Sequence, residues 1–354
     1  MSEYNKRLEG LIDTVIKEGA SDLHLSVGRP PTIRVSGNLL PLVREDVLTP
    51  EASQGLTLAL LSPETKEAFL ANKDMDFAYS AKDGTRFRGN AFYQKGYVGA
   101  TLRAIPEHLK SFEELNLPTA LQEFCHRPQG FFLVVGPVGQ GKSTTLAAMI
   151  ELVNRERATH IITIEDPIEY IFTADKSIID QREVRFDTKD FHTALRSMFR
   201  QDVNVALIGE MRDYETVGTA VTAAETGHLV FSTLHTNNAA QTIDRIIDSF
   251  PAEQQDQIRI QLAGSLLGIF SQRLVPRISG GLIPAYELLV NTPAVSNLIR
   301  ESHTSEINVM IETGSENGMI DMNHSLSELI RKGEITLENA YQHSFNPRGL
   351  ERLV

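Results

Sequence analysis

The stretch Gly136-Pro137-Val138-Gly139-Gln140-Gly141-Lys142-Ser143 fits the pattern G-x-x-x-x-G-K-[ST] in full. No other feature of the chain limits its fold as much. Such a loop works only between a strand that delivers it and a helix that begins behind it, and both are legible. Phe131 to Val135 is a continuous apolar run of strand type, and Thr144 to Leu152 is a helix-forming run. Glycines let the backbone wrap an anion with no Cβ in the way, while the loop N–H groups and the helix N-terminus present partial positive charge to phosphate. Gly136, Pro137, Val138, Gly139, Gln140, Gly141, Lys142, Ser143 and Thr144 are therefore the candidate nucleotide-binding residues. Lys142 is expected to bridge the β- and γ-phosphates of ATP, and the Ser143 hydroxyl to hold Mg²⁺.

From Phe131 onward short apolar runs alternate with helical stretches: Phe131 to Val135, Ile161 to Ile164, Val205 to Ile208 and Leu229 to Ser232. Strands of this kind belong to a parallel sheet covered on both faces, which makes the fold class α/β. The strand Val205-Ala206-Leu207-Ile208 runs into Gly209-Glu210, 68 residues after Lys142. An acid at that point reaches Mg²⁺ or the attacking water, and a glutamate is suited to orienting or deprotonating water. Ile164-Glu165-Asp166-Pro167-Ile168-Glu169 ends another strand with three carboxylates. It reads either as a ligand-facing strand end or as a solvated acidic turn. His228 and His235 bracket a further buried strand. Seven residues of straight strand span about 23 Å, so the two cannot share one metal ion. A histidine there reads as structural or as a γ-phosphate sensor, and the intervening Thr233 could hydrogen-bond a phosphate. Arg196, Arg200 and Arg212 surround Glu210 in sequence, and Arg86, Arg88 and Arg103 fall on predicted strands of the N-terminal segment. Arginines from a neighbouring domain or subunit stabilise charge in phosphoryl transfer; each also reads as a solvated strand residue.

The 354 residues suggest two domains or three. Residues 1–105 read as a small α+β domain. Leu8, Leu11, Ile12, Val15 and Ile16 form a helical stripe closed by Gly19. Asp22 to Val27, Thr32 to Val35, Arg86 to Tyr93 and Val98 to Ile105 read as strands, with Ser36-Gly37-Asn38 as a hairpin turn. Residues 106–118 hold two prolines and several charges and read as a linker. Residues 119–292 form the nucleotide-binding domain, and 293–354 a helical region in which Ser325-Leu326-Ser327-Glu328 opens a helix as a capping box. A net charge of −12 disfavours nucleic acid and anionic lipid as partners. The lone Cys125 excludes an internal disulfide and a cysteine-built zinc site, and nothing marks it as reactive. No run approaches the roughly 18 apolar residues of a membrane span, and the charged N-terminus is unlike a signal peptide, so a cytoplasmic protein is expected.

In order, the phosphate loop is followed by Thr163-Ile164-Glu165-Asp166-Pro167-Ile168-Glu169-Tyr170, Arg200-Gln201-Asp202, Leu207-Ile208-Gly209-Glu210-Met211-Arg212-Asp213, Ala223-Ala224-Glu225-Thr226-Gly227-His228 and Thr233-Leu234-His235-Thr236. This succession resembles the Walker A, Asp box, atypical Walker B and His box of the type II/IV secretion ATPase superfamily. Gly19-Ala20-Ser21-Asp22-Leu23-His24-Leu25 is similar to that family's N-terminal signature. Within the superfamily the chain is most similar to the retraction ATPases of type IV pili: it begins almost directly at the strand domain, and one cysteine cannot build the tetracysteine zinc loop of many extension and secretion relatives. The resemblance implies a PAS-like N-terminal domain, a RecA-like ATPase domain and a homohexameric ring. The ring would hydrolyse ATP with Mg²⁺ and drive pilus retraction and twitching motility. Its partners would be an inner-membrane platform protein and a paralogous retraction ATPase. It also implies nucleotide between the two domains, with Arg88 and Arg103 carried over as cations for the γ-phosphate. Glu210 and Glu165 are carried over at the metal or water, and His228 as the γ-phosphate sensor. Ala294 to His303 departs from the segment A-I-R-x-L-I-R-E-G-K of the retraction branch. Ser296 replaces an arginine, and Ser302-His303 replaces glycine and lysine. The alternatives are an accessory, extension or secretion ATPase and a nucleic-acid translocase.

Overall fold

The computed structural model describes residues 3–35, 37–105, 109–211 and 213–354, with the side chain of Glu64 left out. Arg212, Ser36 of the expected turn, residues 106–108 of the expected linker, and residues 1–2 lie outside the described residues. The chain forms two compact units. One comprises 1–108 with 169–171, the other 109–168 with 172–354.

The first unit opens with α1 (Glu3–Lys17), whose Leu8, Leu11, Ile12 and Val15 are buried as the stripe requires. Gly19, at φ +59°, ends it. The strands are β1 (Asp22–Leu25), β2 (Thr32–Val35), β3 (Asn38–Pro41), β4 (Asp74–Ser80), β5 (Arg86–Gln94) and β6 (Tyr97–Ala104), in the sheet order β3-β2-β1-β6-β5-β4. Between β3 and β4 lie α2 (Pro50–Ala59) and α3 (Pro63–Asn72). Each has a hydroxyl N-cap followed by proline, Thr49-Pro50 and Ser62-Pro63, a start signal written in the sequence. The core joins Leu11, Ile12 and Val15 to Leu23, Phe87 and Leu102. The sheet register sets Arg34, Asp22, Arg103 and Arg88 directly opposite one another across β2, β1, β6 and β5. Directly opposed residues share a face, so these four form one charged row.

The second unit begins with α4 (Ala120–Cys125), β7 (Gly130–Val135), α5 (Lys142–Glu156), β8 (His160–Glu165), β9 (Ile178–Glu183), α6 (Phe191–Met198) and β10 (Val205–Ile208). It continues with α7 (Tyr214–Glu225), β11 (Leu229–Leu234), α8 (Ala239–Asp248), α9 (Ala252–Ser265), β12 (Leu266–Pro276) and β13 (Leu282–Val290). Helices α10 (Pro293–Arg300), α11 (Ile307–Thr313), α12 (Met322–Arg331), α13 (Leu337–His343) and α14 (Pro347–Leu350) complete it. The sheet order is β13-β12-β7-β11-β10-β8-β9, with every neighbouring pair parallel except β12–β13. β7 and β10 are buried at every position, as strands covered on both faces must be. β12 outruns its neighbour: pairing with β7 ends at Ser271–Val135, so Gln272 to Pro276 stand beyond the C-terminal edge of β7.

Two expectations need correction. Residues 109–118 are not a free linker but part of the second unit, because Phe112 and Leu117 are buried there. Ser325 does not cap a helix. Asp321 does, accepting the N–H groups of Asn323 and His324, so α12 starts earlier and Ser325 lies inside it, accepting the Tyr286 N–H. The remaining C-terminal region is helical; Val295, Ile299, Ile307 and Ile311 enter the main core, while Met322, Leu326, Ile335 and Leu350 pack on Val275, Ile283 and Ala285 of the β12–β13 hairpin.

Candidate active site

β7 delivers the phosphate loop to the C-terminal edge of the parallel sheet, where open α/β sheets bind ligands. Gly136, Gly139 and Gly141 all have positive φ, at +149°, +79° and +77°. At Gly139 a Cβ would meet nothing within 4 Å, leaving the loop interior open. At Gly136 it would lie 2.5 Å from the Gln272 carbonyl oxygen, so that glycine is demanded by protein packing as well as by backbone angle. Gly141 is the N-cap of α5 without a side-chain cap, which leaves the first helical N–H groups for an anion. Pro137, Val138 and Gln140 complete the loop, with Val138 at 81% exposure. Ser143 and Thr144 stand in the first turn of α5.

Lys142 is buried, and its Nζ donates to the Pro137 carbonyl at 2.9 Å and to Nδ1 of His235 at 3.2 Å. An ammonium only donates, so Nδ1 is the acceptor and a neutral His235 carries its proton on Nε2. That Nε2 lies 3.7 Å from the Glu210 carboxylate. Lys142, His235 and Glu210 thus form one chain of polar groups at the ends of three adjacent elements. Glu165 ends β8 next door. It is buried and accepts the Thr163 hydroxyl at 2.7 Å. Gly209 separates the two acids: its N–H donates to the Ile164 carbonyl, and a Cβ there would stand 3.3 Å from the Glu165 Cα. The glycine before Glu210 therefore permits close approach of the strand ends. Thr233 donates its hydroxyl to the Gly209 carbonyl at 2.7 Å, so its side chain braces that glycine. Asp166 pairs with Arg185 at 3.5 Å.

The back of the loop is held by a residue that sequence reasoning missed. Gln272, on the part of β12 that outruns β7, accepts the Thr145 hydroxyl at 2.7 Å and donates to the Gln140 carbonyl at 2.8 Å. The Gln140 side chain in turn accepts the Leu274 N–H at 2.7 Å. The only hint in the sequence is a polar run, Ser271-Gln272-Arg273, inside an otherwise apolar strand.

Within the second unit, other candidates lie away from the loop. His228 precedes β11, and the register places the start of that strand beside Gly130, at the opposite edge from the loop. Its Nδ1 donates to the Ala223 carbonyl at 3.0 Å and its ring packs edge-on against Phe199. A six-residue strand, about 20 Å, separates it from the loop of its own chain, and His235 is the histidine that stands beside Lys142. Arg196 and Arg200 likewise precede β10 whereas Glu210 follows it, so nearness in sequence is not nearness in space. Arg88 and Arg103 belong to the charged row of the first unit, where Arg103 donates to Asp22 at 2.8 Å. Burial alone would raise the Asp22 carboxyl, but hydrogen bonds from Ser21 and Arg103 outweigh it and hold the group below the ordinary aspartate range. Cys125 is buried, and that burial raises its thiol far above the reactive range. Among the described residues no cluster of three or more His, Cys, Asp or Glu is placed to hold a metal ion, and no helix is long and apolar enough to cross a membrane.

A strand–phosphate loop–helix at the edge of a parallel sheet, with a buried lysine joined through a histidine to a strand-end glutamate, defines a RecA-like P-loop ATPase. Residues 107–282 match the family described as type II/IV secretion system protein. The type IV pilus retraction ATPase PilT of Pseudomonas aeruginosa is 44% identical over 94% of this chain and 96% of its own length. PilU of the same organism, a type IV pilus ATPase, is 40% identical over 98% of this chain and 91% of its own. A crystal structure of the pilus retraction motor PilT with bound ADP superposes with a TM-score of 0.91 at 46% identity, covering 97% of this chain and 98% of that one. The chain belongs to the type II/IV secretion system family, in the branch that contains PilT and PilU.

Proposed function

We propose that this chain is an ATP-driven motor that powers retraction of a type IV pilus. The contact of buried Lys142 with His235, beside Glu210, carries the reading, together with the near full-length similarity to a pilus retraction ATPase. Residues 136–144 would hold the phosphates of ATP. Hard oxygen donors suit Mg²⁺, which takes one or two protein ligands beside phosphates and water. The Ser143 hydroxyl and the Glu165 and Glu210 carboxylates are of that kind. When bound, the ion neutralises phosphate charge; Lys142 orients the terminal phosphates and Glu210 orients or deprotonates the attacking water. Arg88 and Arg103 are the proposed counter-charges for the transferred phosphoryl group.

The motor would work as a homohexamer in the cytoplasm, docked on an inner-membrane platform protein of the pilus machinery. Purified Lys142→Ala and Glu210→Ala proteins should lose ATP turnover, and wild-type turnover in Glu210→Ala would refute the assignment. Deleting the gene should give surplus surface pili without twitching; loss of pili would indicate extension instead. A second reading, an accessory motor working with a paralogous retraction ATPase, is favoured by the alignment to PilU over 98% of the chain and by the Ser296 and Ser302-His303 departures. Turnover only in mixed rings would select it.

A further inference from the structure

Glu287 on β13 is a buried acid that the nucleotide chemistry does not touch. Its Oε1 accepts the Ala239 N–H at 2.8 Å and the Ser271 hydroxyl at 3.3 Å. Ser271 lies directly opposite on β12, and Ala239 is the first residue of α8, fully buried. Residues 235–238 join the end of β11 to that helix. The segment begins with His235, which accepts from Lys142 and faces Glu210. Asn237 in its middle accepts from Arg273 at 2.9 Å. Asn238 caps α8 by accepting the Gln241 N–H. The near end of the segment is thus held by the phosphate-loop lysine, and the far end by a carboxylate on a main-chain N–H.

The geometry points to Glu287 as a positioning residue: by fixing the start of α8 to the β12–β13 hairpin, it sets the 235–238 segment so that His235 meets Lys142 and Glu210. The inference rests on reading Lys142 and Glu210 as the hydrolytic site. Charge supports it. Burial raises the Glu287 carboxyl to about 7, against hydrogen bonds from Ala239 and Ser271 that favour the ionised form. Of the charged neighbours, Arg273 on β12 also favours ionisation and Asp321 at the start of α12 opposes it. An ionised oxygen is the stronger acceptor for an amide at a helix N-terminus. Glutamine keeps an acceptor oxygen there, whereas alanine keeps none.

Full-length wild-type, Glu287→Gln, Glu287→Ala, His235→Ala and Glu287→Ala/His235→Ala proteins should be compared in steady-state ATP turnover and in amide hydrogen exchange without nucleotide. Glu287→Gln should turn over within about twofold of wild type. Glu287→Ala should lose at least tenfold in kcat with KM within threefold, and the double variant should be no slower than His235→Ala, because groups acting through one another do not add. Exchange in Glu287→Ala should rise chiefly across residues 235–241. Additive losses in the double variant, wild-type kcat in Glu287→Ala, or unchanged exchange in that segment would each overturn the proposal. A wild-type protein without turnover would overturn the hydrolytic reading, and with it the role claimed for His235; faster exchange would then leave Glu287 as an anchor only.

Discussion

Glu287→Gln should make the protein more stable at alkaline pH while leaving it nearly unchanged in acid. The carboxyl lies at 5% exposure among β12, β13 and the start of α8, and its folded-state value is raised from the ordinary 4.5 to about 7. A raised acid contributes stability that is fully present below the unfolded value, and loses it as pH rises through the folded value. Below pH 4.5 both states are neutral and the group costs nothing. Above about pH 7 the folded state must bury a carboxylate that the unfolded chain hydrates. The shift corresponds to about 3 kcal/mol, at roughly 1.4 kcal/mol per unit. Glutamine never ionises and retains an oxygen for Ala239 and Ser271, so it removes the penalty without removing the contact. For a unit of this size, about 3 kcal/mol amounts to roughly 6–12 °C in Tm. Thermal melts of both proteins at pH 5 and pH 8, at equal ionic strength, measure it. The variant-minus-wild-type difference should grow by about three quarters of that amount from pH 5 to pH 8, because at pH 5 the unfolded carboxyl is already partly ionised. Parallel curves would refute the reasoning, because Glu287 would then titrate alike in both states.

Two further outcomes follow from the same geometry. His235→Ala should lower kcat by at least tenfold in dilute protein, whereas His228→Ala, which touches Ala223 and Phe199, should chiefly lower thermal stability; kinetics and melts on both variants separate them. Gln272→Leu leaves the Thr145 hydroxyl and the Gln140 carbonyl without their partner, at roughly 1–3 kcal/mol for each buried polar group left unpaired. A lower Tm and a KM for ATP raised at least tenfold are expected, measured by melting and by nucleotide titration.

The parts of the site legible in sequence are those built from contiguous residues. A strand, a glycine-rich loop and a helix start are adjacent in the chain, so the pattern around Lys142 carries its own geometry. Glu210 was legible for a similar reason, since an apolar strand that ends in an acid places it at a sheet edge. His235 shows where that reasoning stopped short. Ligands gather at the carboxyl ends of parallel strands, and His235 follows β11 whereas His228 precedes it. Strand direction alone separates the two: within one chain it sets His235, and not His228, beside Lys142. Gln272 was legible only as a polar residue in a mostly apolar strand. It lies 127 residues beyond Thr145, and its role exists only because β12 pairs beside β7 and overshoots it. No local period encodes either fact. Ser325 failed differently: its capping pattern is present, but Asp321 one turn earlier caps first.

These distant contacts have a common origin in the β12–β13 hairpin. Gln272 fastens one side of it to the phosphate loop. Glu287 and Arg273 fasten it to the segment that carries His235, through Ala239 and Asn237. The Arg273 guanidinium also lies 5.1 Å from the ring centre of Phe345, a cation–π distance, and helices α12 to α14 pack on the same hairpin. The C-terminal helices thus pack on the hairpin, and the hairpin touches both the phosphate loop and the segment that meets Lys142. In a P-loop ATPase those two must keep a fixed relation for water to attack in line. The hairpin is the element that packs against the C-terminal helices on one side and holds the phosphate loop and the His235 segment on the other.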